Sequence, residues 1–285
     1  MLTAEDLKQI GRVHVQVGRS VDALLAGEYR SAFRGSGMEF EEVRPYSAGD
    51  DVRRIDWNVT ARSGEPFLKV FREERELTML LVIDRSGSVR FGSGGRDGRT
   101  DKRLQVARLA GALAYVALRS NDRVGLLSFS DNVERYLPPR KSRGHGWQVI
   151  REAFAAVELD RATDLAAALT KANAVLHRRA AVIVLSDFVA PRGWEDPMRL
   201  LVRRHRVHAF LVHDPAEVSL GRLGLLTLRD AETGQLSTVD ADRTLARVAL
   251  SARLRELRRL GVTASGVSTV DDAFHVLHGH FRGSR

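Results

Sequence analysis

From residue 77 onward, short apolar runs rich in β-formers alternate with longer stretches of helical periodicity, and this alternation constrains the fold more than any other feature. The runs LTMLLVID (77–84), RVGLLSFS (123–130), AAVIVLSD (180–187), RVHAFLVHD (206–214) and a last one around Val262 to Val267 are strands in this reading. Each is short and almost continuously apolar, as a strand buried on both faces must be. Between them, 102–118, 146–157, 163–176, 197–204 and 243–260 carry helical spacing. Strand, helix, strand at this rhythm predicts right-handed crossovers and a mostly parallel central sheet with helices on both faces, a three-layer Rossmann-like α/β fold. The segment 225–240 has the pattern of a hairpin turning near Thr233 and Gly234 instead.

The first 76 residues follow other rules. Leu7, Ile10, Val13, Val17, Val21, Leu24 and Leu25 recur at three- and four-residue spacing, predicting one or two amphipathic helices between Thr3 and about Phe33. The stretch that follows mixes short extended pieces with Gly, Pro and Asp turns. It carries Phe40, Tyr46, Ile55, Trp57 and Phe67, too many large apolar groups for a free linker. The expected organisation is an N-terminal helical and irregular segment (1–76) followed by one α/β domain (77–285). No apolar run approaches the roughly 18 residues of a membrane span. The N-terminus has acids where a secretory signal would be basic, so the expected compartment is the cytoplasm. There is no cysteine, which removes disulfides, thiol nucleophiles and Cys-ligated zinc from consideration.

The net charge of +9 invites a nucleic-acid reading. Residues 1–76 carry 12 basic and 14 acidic side chains, so the positive excess lies entirely in the α/β domain. There it falls in three separate patches, Arg135 to Arg151, Arg199 to Arg206 and Arg243 to Arg259, with no aromatic interleaving. Solvated helix faces account for this at least as well as a phosphate groove, and nucleic acid is disfavoured as a partner.

In an open α/β sheet ligands bind beyond the carboxyl ends of the strands. The first strand of the domain ends in Asp84-Arg85-Ser86-Gly87-Ser88, a carboxylate and two hydroxyls at alternate positions. The third ends in Ser186-Asp187, and between them Thr163-Asp164 opens a helix. Asp84, Ser86, Ser88, Thr163 and Asp187 are therefore an all-oxygen donor set suited to Mg²⁺, Mn²⁺ or Ca²⁺ rather than to zinc or copper. Each piece alone has an ordinary explanation: a strand-end turn, an N-cap threonine, a loop acid. Their joint occurrence at strand ends and a helix start is what singles them out.

These residues resemble the metal-ion-dependent adhesion site of the von Willebrand factor A domain, over about residues 77 to 275. The resemblance implies that Ser86, Ser88 and Thr163 ligate a divalent cation directly and that Asp84 and Asp187 do so directly or through water. It also implies one coordination position left for an acidic side chain of a partner. The segment EFEEVRPYSAGDDVRRIDWNVTARSGEPFLKVFREERE closely resembles the signature of the bacterial domain-of-unknown-function family fifty-eight, which places such a segment directly before an A-type domain. That family is associated with AAA+ ATPases of the MoxR class in chaperone-like assembly or activation of other proteins. The resemblance thus implies a non-enzymatic interaction module working with a MoxR-type ATPase or its client.

A metal-dependent phosphohydrolase is the alternative. It lacks the second aspartate of an Asp-x-Asp pair, since position 86 is serine, and there is no Gly-x-Ser-x-Gly elbow. Asp50, Asp51, Arg53, Arg54 and Asp56 are expected to pair in a structural clasp, with Ile55 and Trp57 packed. The Gly-rich loop Arg90 to Arg99 has no Gly-Lys ending and is no P-loop; a flap beside the metal is expected. His205, His208, His278 and His280 come with no convergent acid pattern and are expected at the surface.

Overall fold

The computed structural model describes residues 38–73, 77–92, 101–155, 161–218, 224–229, 234–240 and 246–283. The segment expected to form N-terminal amphipathic helices and most of the Gly-rich loop expected to form a flap lie outside the described residues. The chain divides into two compact units, one of residues 34–77 and one containing everything from residue 78 onward.

In the smaller unit, β1 (Met38–Pro45) pairs antiparallel with β2 (Phe67–Glu73). The connection carries a 3-10 turn (Val52–Arg54) and the short helix α1 (Trp57–Ser63). Asp56 starts α1 by accepting from the backbone N–H groups of Asn58 and Val59, at 3.0 and 3.3 Å. Gly64, at φ 78°, ends it. The acids are engaged, but by other groups than the expected Arg53 and Arg54 side chains: Asp50 pairs with Arg44 at 2.6 Å, Asp56 with Lys69 at 3.3 Å, and Asp51 accepts from the backbone N–H of Arg53 at 3.0 Å. Trp57 departs from expectation, being 70% exposed. It opens a helix of seven residues, and the contact with β2 is made by Thr60, whose Oγ1 accepts from Phe67 N.

The larger unit is built on a six-stranded sheet of order β10-β7-β6-β3-β4-β5. Its strands are β3 (Thr78–Asp84), β4 (Arg123–Phe129), β5 (Val133–Arg140), β6 (Ala181–Ser186), β7 (Arg206–His213) and β10 (Thr263–Ser268). All neighbours are parallel except β4 and β5. Residues Leu80 and Val82 of β3, Val182 and Val184 of β6, and Ala209 of β7 form one core cluster with α4 (Leu165–Val175), α5 (Glu195–Arg204) and Leu257 of α7 (Ala246–Arg259). On the other face, α2 (Lys102–Arg119) packs across β3, β4, β6 and β7, flanked by α3 (Arg143–Ala153) and α8 (Ala273–Arg282). This is the three-layer α/β fold with a mostly parallel central sheet expected from the strand pattern. A four-residue helix, α6 (Pro215–Val218), follows β7, and β8 (Leu225–Arg229) pairs with β9 (Leu236–Asp240) in the expected hairpin. Among the described residues no helix is long and apolar enough to cross a membrane.

Besides the short helices α1 and α6, two elements escaped the sequence reading. The strand β5, VERYLPPR, carries two prolines and is mostly unburied, so it has neither the composition nor the alternation of a core strand. An edge position tolerates this, since the outer side of an edge strand has no ladder partner. The helix α8 is short and histidine-rich. Its His280 corrects the expectation of surface histidines: His205, His208 and His280 are all less than 10% exposed. His208 Nδ1 lies 2.9 Å from His280 Nε2, and His280 Nδ1 lies 2.7 Å from Ser265 Oγ. Burial holds the His208 and His280 imidazoles neutral, with pKa values lowered to about 4 and about 3.

Gly125 is where β5 meets the sheet. A Cβ there would lie 2.6 Å from the Leu137 carbonyl and 2.7 Å from Pro139 N, both backbone atoms that cannot swing aside. The β4–β5 register shifts at this point, between Val124 and Leu126. Gly125→Ala is therefore expected to destabilise the fold by about 2 kcal/mol or more through forced separation of the strands. Urea denaturation midpoints of the two proteins measure this.

Candidate functional site

The sheet's connections leave β3 in opposite directions. The chain runs from β3 to β4 on one side, then returns to β6, β7 and β10 on the other. The crevice where such a sheet reverses, at the carboxyl ends of the two strands flanking the reversal, is the general ligand position of open α/β folds. Asp84 ends β3 and Asp187 follows the last residue of β6, so the reversal falls between two carboxylates. The two strands are in register through Ile83 and Leu185, and rigid backbone holds the acids together.

Asp84 is 2% exposed. Its Oδ1 accepts from Ser86 N at 2.9 Å, and its Oδ2 accepts from the Ser186 hydroxyl at 2.6 Å. Burial, and then the neighbouring charge of Asp187, push its pKa up to about 7 despite these donors. After Asp84 the chain turns through a 3-10 segment (Gly87–Arg90) that places Ser86 Oγ 3.1 Å from Ser88 Oγ. Ser86 is fully buried and Ser88 half-buried.

Asp187 is also 2% exposed, yet its carboxyl is held below the usual carboxylate range. Burial alone would raise it; the positive charge of Lys102, 2.7 Å from Oδ2, outweighs that, helped by Val189 N on Oδ1 and by a hydrogen bond from Ser88. The next residue, Phe188, takes the left-handed conformation at φ 54°, a strained state for a bulky side chain. Its ring is buried edge-on against Trp194, and its N–H donates to Ser186 Oγ at 2.8 Å. Packing thus fixes the turn that aims Asp187.

Thr163 is 3% exposed and lies in the extended segment before α4. Asp164, not Thr163, caps that helix, accepting from Ala167 N at 2.9 Å. The segment is stitched to the first loop by Gly87 N donating to Arg161 O (2.8 Å), and to the end of β4 by Asp164 N donating to Ser130 O (2.6 Å). The structure therefore brings Asp84, Ser86, Ser88 and Asp187 into one hydrogen-bonded and charge-coupled group, with the Thr163 segment tied to the same turn.

Among the described residues no group of three or more His, Asp or Glu side chains converges as a metal cage. The donor set that could hold an ion here is two carboxylates and hydroxyls, all hard oxygen, which fits Mg²⁺ or Mn²⁺. Burial, and then the charge of Asp187, disfavour the ionised Asp84 carboxyl, and a divalent cation beside it would favour that form again. Three residues of the site were not singled out from the sequence. Ser186 holds Asp84, and Lys102 and Glu217 form an ion cluster with Asp187. Lys102 did leave a trace, because a cation in the first turn of a helix opposes the helix dipole.

The sequence profile of the family described as "Protein of unknown function DUF58" matches residues 42–259. Uncharacterized proteins of Mycobacterium tuberculosis and Mycobacterium bovis are 32% identical over 235 residues, covering 82% of this chain and 73% of theirs. Among solved structures, the conserved hypothetical protein BatB from Bacteroides thetaiotaomicron aligns with a TM-score of 0.50 at 14% identity, over 73% of this chain and 98% of its own. An aerotolerance-related membrane protein from Bacteroides fragilis aligns with a TM-score of 0.50 at 16% identity over the same shares. At these identities the likeness concerns the fold.

The Asp84 carboxyl carries a pH prediction. Its folded pKa lies above the unfolded value, so the ionised group destabilises the fold: the penalty grows as pH rises from about 4 to about 7 and is complete above that. The buried His208 and His280 act in the opposite sense, removing stability as pH falls below about 6.5, so the comparison must be a difference between variants. In EDTA, Asp84→Asn is expected to be more stable than the parent by about 2 kcal/mol at pH 8 and close to it at pH 4. Thermal melts of both proteins across that interval check the crossover.

Proposed function

The chain belongs to the DUF58 family, and we propose that it is a non-enzymatic, divalent-cation-dependent protein-interaction module. The observation that carries the reading is the convergence of Asp84, Ser86, Ser88 and Asp187 at the strand reversal, with the buried Thr163 in a segment tied to the same turn. Asp84, Ser86, Ser88, Thr163 and Asp187 would hold Mg²⁺, with Mn²⁺ or Ca²⁺ as substitutes. A cation held mostly by neutral hydroxyls stays under-neutralised and attracts a further carboxylate. The protein's own part is to keep the two acids and the hydroxyls in place, through Ser186 on Asp84 and through the strained turn at Phe188 on Asp187.

The recognised group is an acidic side chain of a protein partner. The family resemblance supports a MoxR-type AAA+ ATPase or its client as that partner, and with it a cytoplasmic setting, where ATP is available. The phosphohydrolase alternative needs a carboxylate able to attack or to hold a phosphoryl group. Asp84 is 2% exposed with both oxygens engaged by Ser86 and Ser186, which counts against that role.

Calorimetric titration is expected to find one Mg²⁺ per chain, with affinity lost at least tenfold in Thr163→Ala. Capture of a purified MoxR-type ATPase is expected in Mg²⁺ and to disappear in EDTA and in Thr163→Ala. Capture that persists undiminished in EDTA overturns the proposal.

A further inference from the structure

Lys102 is among the most deeply buried side chains of the larger unit, at 1% exposure. It stands in the first turn of an 18-residue helix, where the dipole disfavours a cation, and it has lost its hydration. Two carboxylates repay both costs: Asp187 Oδ2 at 2.7 Å and Glu217 Oε1 at 2.6 Å. The backbone N–H of Lys102 donates to Phe91 O at 3.0 Å, and its Nζ lies 5.9 Å from the centre of the Phe91 ring. Glu217 is itself anchored, its Oε2 accepting from Asp214 N at 2.8 Å. The ammonium is thus fixed from two sides.

Its position relative to the candidate centre is the point. Of the two acids at the strand reversal, Asp187 is the one that the ammonium neutralises, and a divalent ion would draw on the same carboxylate. Like charges a few ångströms apart in a buried site repel strongly. We propose that Lys102 is a tethered competitor of the divalent cation, an internal positive charge that lowers the ion affinity of the site. Glu217, 2.6 Å from the ammonium, sets the strength of the competition by sharing it with Asp187, its negative charge offsetting part of the ammonium's repulsion of an ion. The inference rests on reading the site as a divalent-cation site and adds the residue that tunes it. A loosely held ion is one that a partner's carboxylate can complete, so ion and partner favour each other's binding by the same factor.

The test is Mn²⁺ titration of the purified full chain at pH 8, followed by the electron paramagnetic resonance of free Mn²⁺, for the parent, Lys102→Met, Glu217→Gln and Asp84→Asn. Lys102→Met is expected to bind one Mn²⁺ at least tenfold more tightly than the parent, and Asp84→Asn to lose binding. Unchanged or weaker binding by a folded Lys102→Met, with the parent binding normally, overturns the competitor role while leaving the cation site intact. Absence of binding by both the parent and Lys102→Met overturns the cation site and the competitor role together. Should Lys102→Met fail to fold, Glu217→Gln decides the matter, since that side chain is 32% exposed and its loss strands no buried charge. With Glu217 neutral the ammonium charge is offset by Asp187 alone, so Mn²⁺ is expected to bind at least threefold more weakly. Unchanged or tighter binding overturns the competitor role.

Discussion

Two carboxylates are buried side by side at the ends of adjacent parallel strands, and the surroundings of the site answer to that constraint. Neither acid can retreat, because β3 and β6 are paired through Ile83 and Leu185 and neither end is free to splay. Each is instead given its own donors. Asp84 takes a backbone N–H from Ser86 and a hydroxyl from Ser186; Asp187 takes a backbone N–H from Val189 and the ammonium of Lys102. The division is unequal, because neutral donors offset less charge than a cation does. Asp187 stays ionised while Asp84 is pushed to about 7, and the two acids reach different states from similar burial.

The features legible in the sequence were those with a local cause. Strands buried on both faces need continuous apolar runs, so β3, β4, β6, β7 and β10 could be placed to within a residue or two. The strand-end acids and hydroxyls were legible because the fold class says where ligands bind, and motif and topology therefore agree at Asp84 and Asp187. What stayed hidden depends on partners distant in sequence. Nothing near Lys102 announces Asp187 or Glu217, which lie 85 and 115 residues away. The same holds for His208 and His280, buried against each other across 72 residues. The edge strand β5 was obscured for the opposite reason: its sequence is shaped by what an edge must avoid rather than by what a core requires.

The basic excess of the larger unit takes on a narrower meaning beside this acidic pair. Several of its arginines pair at the surface, as Arg199 with Asp196 and Arg161 with Asp131. Among the described residues Lys102 is the basic group that meets the Asp187 carboxylate, whereas Arg253 donates to the Asp187 backbone carbonyl at 3.2 Å. A lysine suits that place better than an arginine would. Its compact ammonium can sit between two carboxylates in a narrow site, whereas a planar guanidinium needs room for a bidentate approach.

Because the strand ends are rigid, relief of the repulsion between Asp84 and Asp187 has to come from a positive charge brought to them. Three kinds are on offer: a proton on Asp84, the ammonium of Lys102, and a divalent ion. The first two are already in use near neutral pH, which is why the pair is tolerated in the core. A divalent ion entering the group would displace the proton from Asp84, since ligation requires the ionised form. That exchange replaces one positive charge with two and raises the local charge by one unit. With Glu217 counted among the acids, the proton and the ammonium leave the group one negative charge in excess, and a divalent ion in the proton's place would bring it to balance. On this accounting any attraction of an ion-loaded site for a carboxylate from outside would rest on an open coordination position of the ion, not on a net positive charge of the group.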